Sequence, residues 1–527
     1  MDAKYVVESY TNGDAKIELD ASKRQFTGLT KEELLKYADD PFWVRLRWFM
    51  FLLFWALWLC MLAGAIVIIV RAPKCPPPAP KTWYQRGPLV DMSEVEFTEI
   101  EPQLALLKSA EVQGIFATCP ETYVADEPGQ LDSFKDFIKK TKEYSVKVII
   151  DLTANFVSDK HRWFVSARAN HSSPYSDYFV WSKTNGSDAN TSLAAGGAGA
   201  AWAFSPERQE YYLHHFGAER PDLDFGNPRV AAELAAALSA WMGAGAGGVR
   251  LVNVRKLVLT NRSSGNVSSA NVSSTNGSST NGSLTNGILA DEPTLPGLLQ
   301  RWADLVDESG DAPGTGETVF TVKEADAPDA PDTWTLPLRP TAASPLRAAA
   351  PAAQLAAELA RRLGPWPLLQ LLPEPGAEEE VAAFSLLLPA APVLAARQLA
   401  RADNASVLSD SISRLVELRR DASVEHGEYD VRALPTSDNG TAVVACARWK
   451  PGHTGYVALL NPGAAEARAN LRALRSVPAA LTVHHASGAA RLRTNVTLDG
   501  SMDSDQVLVP GYSSVILSYV PKTEETD

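Results

Sequence analysis

Residues Trp48–Val70 read WFMFLLFWALWLCMLAGAIVIIV, 23 consecutive positions without a charged side chain. A helix needs about 20 apolar residues to cross the hydrocarbon core of a bilayer, and no other stretch of the chain meets that length. The run is longer than the roughly 7–15 residues of a signal-peptide core, and 47 residues precede it. It therefore reads as an uncleaved signal anchor. Cys75 follows five residues beyond Val70, in the proline-rich neck RAPKCPPPAP. Prolines favour an extended polyproline-like backbone, and five extended residues reach at most roughly 18 Å. The thiol is thus expected near the headgroups, where it can meet an extracellular loop of a neighbouring membrane protein, remain free, or join a second copy.

Flanking charge does not orient the span. Lys31, Lys36, Arg45 and Arg47 lie on one side, and Arg71, Lys74, Lys81 and Arg86 on the other, a tie by the positive-inside count. Glycosylation sequons decide instead. They occur at Asn170, Asn185, Asn190, Asn261, Asn266, Asn271, Asn276, Asn281, Asn404, Asn439 and Asn495, all beyond the span. Sugar addition requires lumenal exposure. The expectation is a single-pass type II protein, embedded in lipid, with its C-terminal side outside.

The net charge of −13 over 527 residues argues against a nucleic-acid partner, because phosphate contacts need clustered Lys and Arg. Four cysteines are too few for a disulfide scaffold. Cys60 reads as a small apolar residue of the span, and Cys119 and Cys446 as buried thiols rather than a bridge. The histidine pairs His214–His215 and His484–His485 are adjacent, which on a strand turns them to opposite faces. No His/Cys/Asp group has metal-site spacing, so neither metal nor cofactor is expected.

Thr30 followed by Glu33 is a capping-box pattern and predicts a helix over Lys31–Tyr37 that stops before Pro41. Within the span, Phe51, Trp55, Trp58 and Leu62 recur at helical spacing as a stripe that faces either a partner helix or lipid. Beyond the neck, GIFATC (114–119) and KVIIDLT (147–153) are short apolar runs suited to buried parallel strands, with the helical LDSFKDFIKKTKEYS between them. That is the rhythm of a β/α barrel or a doubly wound sheet. GGVRLVNV (247–254) and TVFTVKEA (318–325) predict further strands, QLAAELARRL a helix ending at Gly364, and VAAFSLLLPAAPVLAA (381–396) a buried helix followed by a strand. Residues 261–287 are low in complexity and nearly devoid of apolar side chains, so they read as a glycosylated surface loop after a strand ending near Val258. From about Ser411 onward TAVVACARW, GYVALLN, AALTVHHAS, NVTLDG and SSVILSYV predict an antiparallel β domain.

Several of these segments carry a resemblance. KVIIDLTANFVSDKHRWF resembles the first conserved region of the α-amylase/α-glucosidase family, a strand ending in D-x-x-x-N-H. ERPDLDFGNPRVAAEL is similar to that family's Q-P-D-L-N-x-x-N-P-x-V, and GAGAGGVRLVNV lies where G-V-D-G-F-R-V-D-A would be. The resemblance implies a (β/α)8 TIM barrel with an inserted segment and a C-terminal antiparallel sheet, hence an α/β fold. It also implies catalysis by two carboxyls about 5–5.5 Å apart, and there the chain departs. Asp151 and Arg250 match, but Val252 stands in place of the nucleophilic Asp and Phe156 in place of the His. Leu372, Pro373 and Glu374 occupy the place of N-H-D. Glu324 aligns with the general acid, but without a nucleophile it reads as a structural ion-pairing residue. No catalytic site is expected.

Residues 26–75 resemble the heavy subunit of heteromeric amino-acid transporters, the cell-surface antigen heavy chain type. The resemblance implies a non-enzymatic escort, joined through Cys75 as a covalent heterodimer with a polytopic amino-acid transporter light chain. The expected organisation is a cytoplasmic tail 1–46, a transmembrane helix 47–70, a neck 71–81, a barrel 82–410 with an inserted segment 157–225, and a C-terminal β-sandwich 411–520. A membrane-anchored α-glucosidase is the alternative, and an adhesion or receptor ectodomain a third reading.

Overall fold

The computed structural model describes residues 31–37, 39–72, 78–120, 131–184, 201–260, 295–310, 317–323, 345–364, 366–399, 413–435, 442–493 and 497–521. Thr30, Cys75, Glu324, the loop 261–287 and every sequon asparagine except Asn170 lie outside them. Two units result, Met1–Pro78 and Ala79–Asp527.

In the first unit, helix α1 (Lys31–Lys36) is followed by α2 (Pro41–Arg71). Helix α2 starts at Pro41, not at the expected 47. The Asp40 side chain accepts from the Phe42 amide at 3.1 Å, and Pro41 in the first turn has no N–H to leave unsatisfied. The 31 residues of α2 extend about 46 Å at 1.5 Å per residue, more than the ~30 Å hydrocarbon core. The aromatic stripe forms as edge-to-face contacts, with ring centroids 5.8 Å apart for Trp48–Phe51, 6.3 Å for Phe51–Trp55 and 5.7 Å for Trp55–Trp58. No residue of α2 is buried against other described residues, and a helix apolar all round calls for an apolar solvent.

The second unit is built on eight parallel strands: β1 (Leu89–Asp91), β2 (Gly114–Thr118), β3 (Lys147–Leu152), β4 (Gly248–Val252), β5 (Val319–Lys323), β6 (Leu346–Arg347), β7 (Leu368–Leu372) and β8 (Ala391–Ala395). Their order is β5-β4-β3-β2-β1-β8-β7-β6. Strand β1 thus pairs with both β2 and β8, as barrel closure requires. Between β5 and β6 no pairing falls among the described residues. Helices α3 (Asp132–Glu143), α4 (Arg162–Ala169), α5 (Pro228–Gly243), α6 (Leu295–Glu308), α7 (Ala352–Arg362) and α8 (Glu378–Leu387) lie between the strands.

Period-two alternation divides each strand between two cores. Val90, Ile115, Val148, Ile150, Val249, Leu251 and Phe320 join the large core under the helices. Leu89, Phe116, Ile149, Val319, Leu368, Ala391 and Val393 fill the barrel axis, closed by Trp83, Tyr84 and Trp366. Helix α3 buries Phe134, Phe137, Ile138 and Thr141 at helical spacing, and Phe134 meets Trp241 of α5 edge-on at 5.4 Å. At Gly248 a Cβ would lie 2.1 Å from the Val319 carbonyl oxygen, so the close approach of β4 and β5 requires glycine.

The expected buried helix and strand over 381–396 are α8 and β8. Strand β4 ends at Val252 and not near Val258, because Asn253 turns left-handed at φ 57° and a single 3-10 turn follows. Residues 157–225 hold α4 and a three-stranded antiparallel sheet of Trp181–Ser182, Ala201–Ser205 and Glu210–His214.

The C-terminal part is a six-stranded antiparallel sheet of β9 (Glu428–Pro435), β10 (Ala442–Trp449), β11 (Gly455–Asn461), β12 (Ala480–Ala486), β13 (Ser501–Asp503) and β14 (Ser513–Tyr519), in the order β9-β10-β11-β14-β12-β13. Within NVTLDG, Thr497–Gly500 is a turn instead of a strand. Asp499 sits at φ 62° and Gly500 N–H donates to the Thr497 carbonyl. One face of the sheet (Val444, Cys446, Ala458, Leu460, Ile516) joins the barrel core. The other (Ala445, Ala447, Val457, Leu459, Leu517) forms a second core, backed by a two-stranded ribbon of Ala467–Ala469 and Val507–Val509.

Cys119 and Cys446 are separate buried thiols, each pushed up to about 12, Cys119 by burial and Cys446 chiefly by burial. Iodoacetamide at pH 8 is expected to leave both unmodified in the native chain and to alkylate both in guanidinium, as read by peptide mass spectrometry. His485 on β12 is lowered to about 4 by burial and then by Arg491, His484 and Arg414. Its unfolded value is about 6.5, so the unfolded chain binds the proton first. Stability is full above about pH 6.5 and falls toward pH 4, by at most ~1.4 kcal/mol per pH unit. The urea midpoint of His485→Gln should decline less steeply over that window than that of the unmodified chain.

Candidate functional site at the C-terminal end of the barrel

The inward alternation that places Leu89, Phe116, Ile149 and Val319 on the barrel axis also directs Asp91, Asp151, Arg250, Val252 and Lys323 toward the C-terminal strand ends. Asp91, Asp151 and Arg250 are 9%, 4% and 6% exposed. Arg250 Nε donates to Asp151 Oδ1 at 2.7 Å, and Nη2 to Asp151 Oδ2 at 2.6 Å. The other edge of the guanidinium reaches β1: Nη2 to Asp91 Oδ1 at 3.0 Å and Nη1 to Asp91 Oδ2 at 3.2 Å. Its plane lies over Phe116, 3.9 Å from the ring centroid.

Lys323 completes the charge balance. Its Nζ donates to Asp91 Oδ2 at 3.3 Å and to Ser93 Oγ at 3.1 Å. Ser93 Oγ in turn donates to Asp91 Oδ1 at 2.7 Å, and Thr118 Oγ1 holds the Ser93 carbonyl at 2.7 Å. Two carboxylates and two cations thus neutralise one another across β1, β3, β4 and β5.

Burial opposes the Asp91 charge, but Arg250, its hydrogen bonds and Lys323 outweigh it and hold the carboxyl well below the usual carboxylate range. Burial pushes Asp151 up against the pull of Arg250, and the adjacent Asp91 charge adds to the push. Despite burial, the two carboxylates raise the affinity of Arg250 for its proton above the ordinary value. Such a cluster holds strands in place. Asp91 is held ionised and cannot act as a general acid, and both carboxylates are committed to one guanidinium. Val252, half-buried at the end of β4, offers no attacking oxygen.

The remaining residues singled out in the sequence are placed as follows. Asn155 donates to the Asn253 carbonyl at 3.0 Å, and Asn253 N–H to the Lys323 carbonyl at 2.7 Å, so both fix loop ends. Phe156 packs on Phe216 with centroids 5.0 Å apart, under the Arg220 guanidinium at 5.2 Å. Leu372 ends β7, the Pro373 carbonyl accepts from Arg397 at 2.7 Å, and Glu374 is exposed. Asn170 is exposed at the end of α4, and its Oδ1 accepts from the Ser172 amide of its own sequon at 2.9 Å. The connection from β4 to α6 is pinned where Thr260 N–H meets Asp224 Oδ1 at 3.0 Å. Strand-to-helix connections lie on the catalytic face of such barrels. Asp91 and Lys323 were not singled out from sequence. The signal was present in LVDMS and TVFTVKEA, where a charged side chain ends an apolar strand.

An eight-stranded β/α barrel with a C-terminal antiparallel sheet is the fold shared with glycosidase-type barrels. Residues 120–335 match the model of the alpha amylase catalytic domain, and residues 14–90 that of the solute carrier family 3 member 2 N-terminus. The amino acid transporter heavy chain SLC3A2 of Mus musculus is 35% identical over 183 residues, 30% of this chain and 35% of its own. The heavy chain SLC3A1 of Rattus norvegicus is 28% identical over 268 residues, 45% of this chain and 38% of its own. A probable alpha-glucosidase of Rhizobium meliloti (strain 1021) is 38% identical over 133 residues, 24% of each chain. The alignments span about a third of the length of the transporter heavy chains. Among solved structures, the trehalose-6-phosphate hydrolase of Bacillus licheniformis has a TM-score of 0.56 at 13% identity, over 83% of this chain and 100% of its own. The α-glucosyl transfer enzyme XgtA has a TM-score of 0.55 at 16% identity, over 83% and 100%. At these identities the likeness is one of fold. The resemblance to transporter heavy chains with a glycosidase-like ectodomain holds in both stretches where the residues carried it.

Replacing Arg250 by Met should cost about 3–5 kcal/mol, because it leaves two buried carboxylates facing each other. Adding Asp91→Asn and Asp151→Asn to that variant should recover part of the loss. Chemical unfolding of the three chains checks both outcomes.

Proposed function

We propose that this chain is a non-catalytic heavy subunit that carries a polytopic amino-acid transporter light chain to the plasma membrane and stabilises it there. The observation that carries the reading is Val252 at the nucleophile position, beside a strand-end cluster in which every charge is already paired within the protein. A hydrolytic centre needs an attacking carboxylate and a separate proton donor, and the described strand ends supply neither in a usable state. Among the described residues one helix, Pro41–Arg71, is long and apolar enough to cross a membrane, and it contains no charge between Trp48 and Val70. It offers no ion or substrate path of its own, so translocation falls to a partner.

In this reading the N-terminal tail is cytoplasmic and the barrel extracellular, and Cys75 forms a disulfide with the light chain while α2 packs against it through the Phe51–Trp55–Trp58 stripe. Sugars on Asn170 and the other sequons would mark the extracellular side, and those of 261–287 would crowd the old catalytic face.

Membranes run without reductant should show a higher-mass adduct that disappears on reduction and in Cys75→Ser, with a polytopic protein recovered from the band. Persistence of the adduct in Cys75→Ser refutes the covalent link. Purified chain should release no glucose from maltose or an aryl glucoside. Turnover abolished by Glu324→Gln would favour the glucosidase reading instead.

A further inference from the structure

At the opposite end of the barrel, beneath the N-terminal ends of β7 and β8, lies a cavity of about 270 Å3. Its wall is formed chiefly by Lys81, Arg86, Trp366, Arg419, Arg420 and Glu425. Four cations face one carboxylate, in a chain whose net charge is −13.

The surplus is built in. Arg419 is 4% exposed and spends its donors on backbone carbonyls: Arg86 at 2.9 Å, Gln85 at 3.0 Å and Ala390 at 2.8 Å, besides Leu386. Behind it Arg448, fully buried, donates to the carbonyls of Leu387 and Val424, and its Nε has no hydrogen-bond partner among the described residues. Neither guanidinium has a carboxylate within ion-pair distance among the described residues. Carbonyls at the C-terminus of α8 satisfy their hydrogen bonds, but a helix end supplies only about half a negative charge. Arg420 is spent on Glu111 at 2.6 Å.

Lys81 and Arg86 remain at the mouth. Lys81 Nζ rests 3.9 Å from the Trp366 ring centroid and makes no ion pair among the described residues. Trp366 is held at φ 58°, a costly backbone for a bulky side chain. That conformation sets its ring among Lys81, Arg448 and Arg419, the latter two at 5.5 and 5.9 Å. Burial and then Arg448 lower the Lys81 ammonium below its ordinary value, Glu425 opposing and Arg419 adding.

We propose that this cavity binds a phosphate monoester, its dianion held by Lys81 and Arg86 in the field of Arg419 and Arg448, with Trp366 as the apolar wall for the group that carries it. Two sources share this chemistry, a soluble phosphate and the headgroup of phosphatidic acid. Lys81 follows the last residue of α2, Arg71, by ten positions in the chain.

The test uses the full chain in nanodiscs of neutral phosphatidylcholine, titrated calorimetrically with inorganic phosphate at constant ionic strength, and again in nanodiscs containing phosphatidic acid. A saturable isotherm is expected, weakened at least tenfold by Lys81→Gln with Arg86→Gln. Glu425→Gln, which removes the carboxylate in the cavity wall, should tighten it several-fold. Loss of the isotherm when phosphatidic acid is present assigns the site to lipid, and its persistence assigns it to a soluble ligand. A melting temperature raised by phosphatidic acid in the unmodified chain but not in the double variant equally supports the lipid. Absence of both effects, or a phosphate affinity unchanged by Glu425→Gln, overturns the proposal. The Glu425→Gln arm stands even if the double variant fails to fold.

Discussion

The guanidinium of Arg250 is the contact on which the barrel's C-terminal end depends. It sits on β4 and bonds β3 through Asp151 and β1 through Asp91, while Lys323 brings in β5. A buried arginine between two carboxylates is stable only when each charge is paired and hydrogen-bonded, and here the pairing is complete within the cluster. Half of the barrel strands are thereby locked in register at the end where glycoside chemistry takes place in enzymes of this fold. Within the network neither Asp91 nor Asp151 is free of the guanidinium. One arrangement thus ties four strands together and pairs each of its own charges within the protein.

A second set of buried guanidiniums joins the barrel to the C-terminal sheet. Arg419 and Arg448 take the carbonyls of Leu386, Leu387, Leu388 and Ala390 at the end of α8. Carbonyls at a helix C-terminus lack intrahelical donors, and arginine supplies several in a fixed fork. Burial and Arg448 lower Arg419 to about 9, still protonated at neutral pH. Because Arg448 belongs to β10, its position depends on the sheet that packs Val444, Cys446 and Ala458 against the barrel core. Helix α8 and the sheet therefore stabilise one another, and the positive field of the N-terminal cavity is a consequence of that junction.

The proposed escort role draws on these two features in different ways. On that proposal the barrel would serve as a scaffold without turnover, and its sequons would carry sugars. The uncharged Trp48–Val70 stretch of α2, with its aromatic stripe, has side chains suited to packing against another membrane helix. Neither feature requires the barrel to bind sugar.

The sequence by itself determined many of the elements and their type. Short apolar runs such as Val148–Ile150 marked β2, β3, β4, β5 and β8, which are largely buried on both faces, whereas β1, β6 and β7 were not anticipated. The period of Phe134, Phe137, Ile138 and Thr141 fixed α3, and the length of Trp48–Val70 fixed the membrane-compatible helix. The substitutions Val252 and Phe156 were also readable, because they depend only on position along the chain. Local backbone choices set finer boundaries that composition left open: the left-handed Asn253 ends β4 early, Pro41 with Asp40 starts α2 early, and Asp499 turns the chain where a strand was expected. What only the tertiary structure decided was which charges meet. Asp91, Asp151, Arg250 and Lys323 come from four separate strands, and Lys81, Trp366, Arg419 and Arg448 are brought together from as far apart as the neck and the C-terminal sheet. Charge pairing acts through space across a closed barrel, and no periodicity along the chain records it.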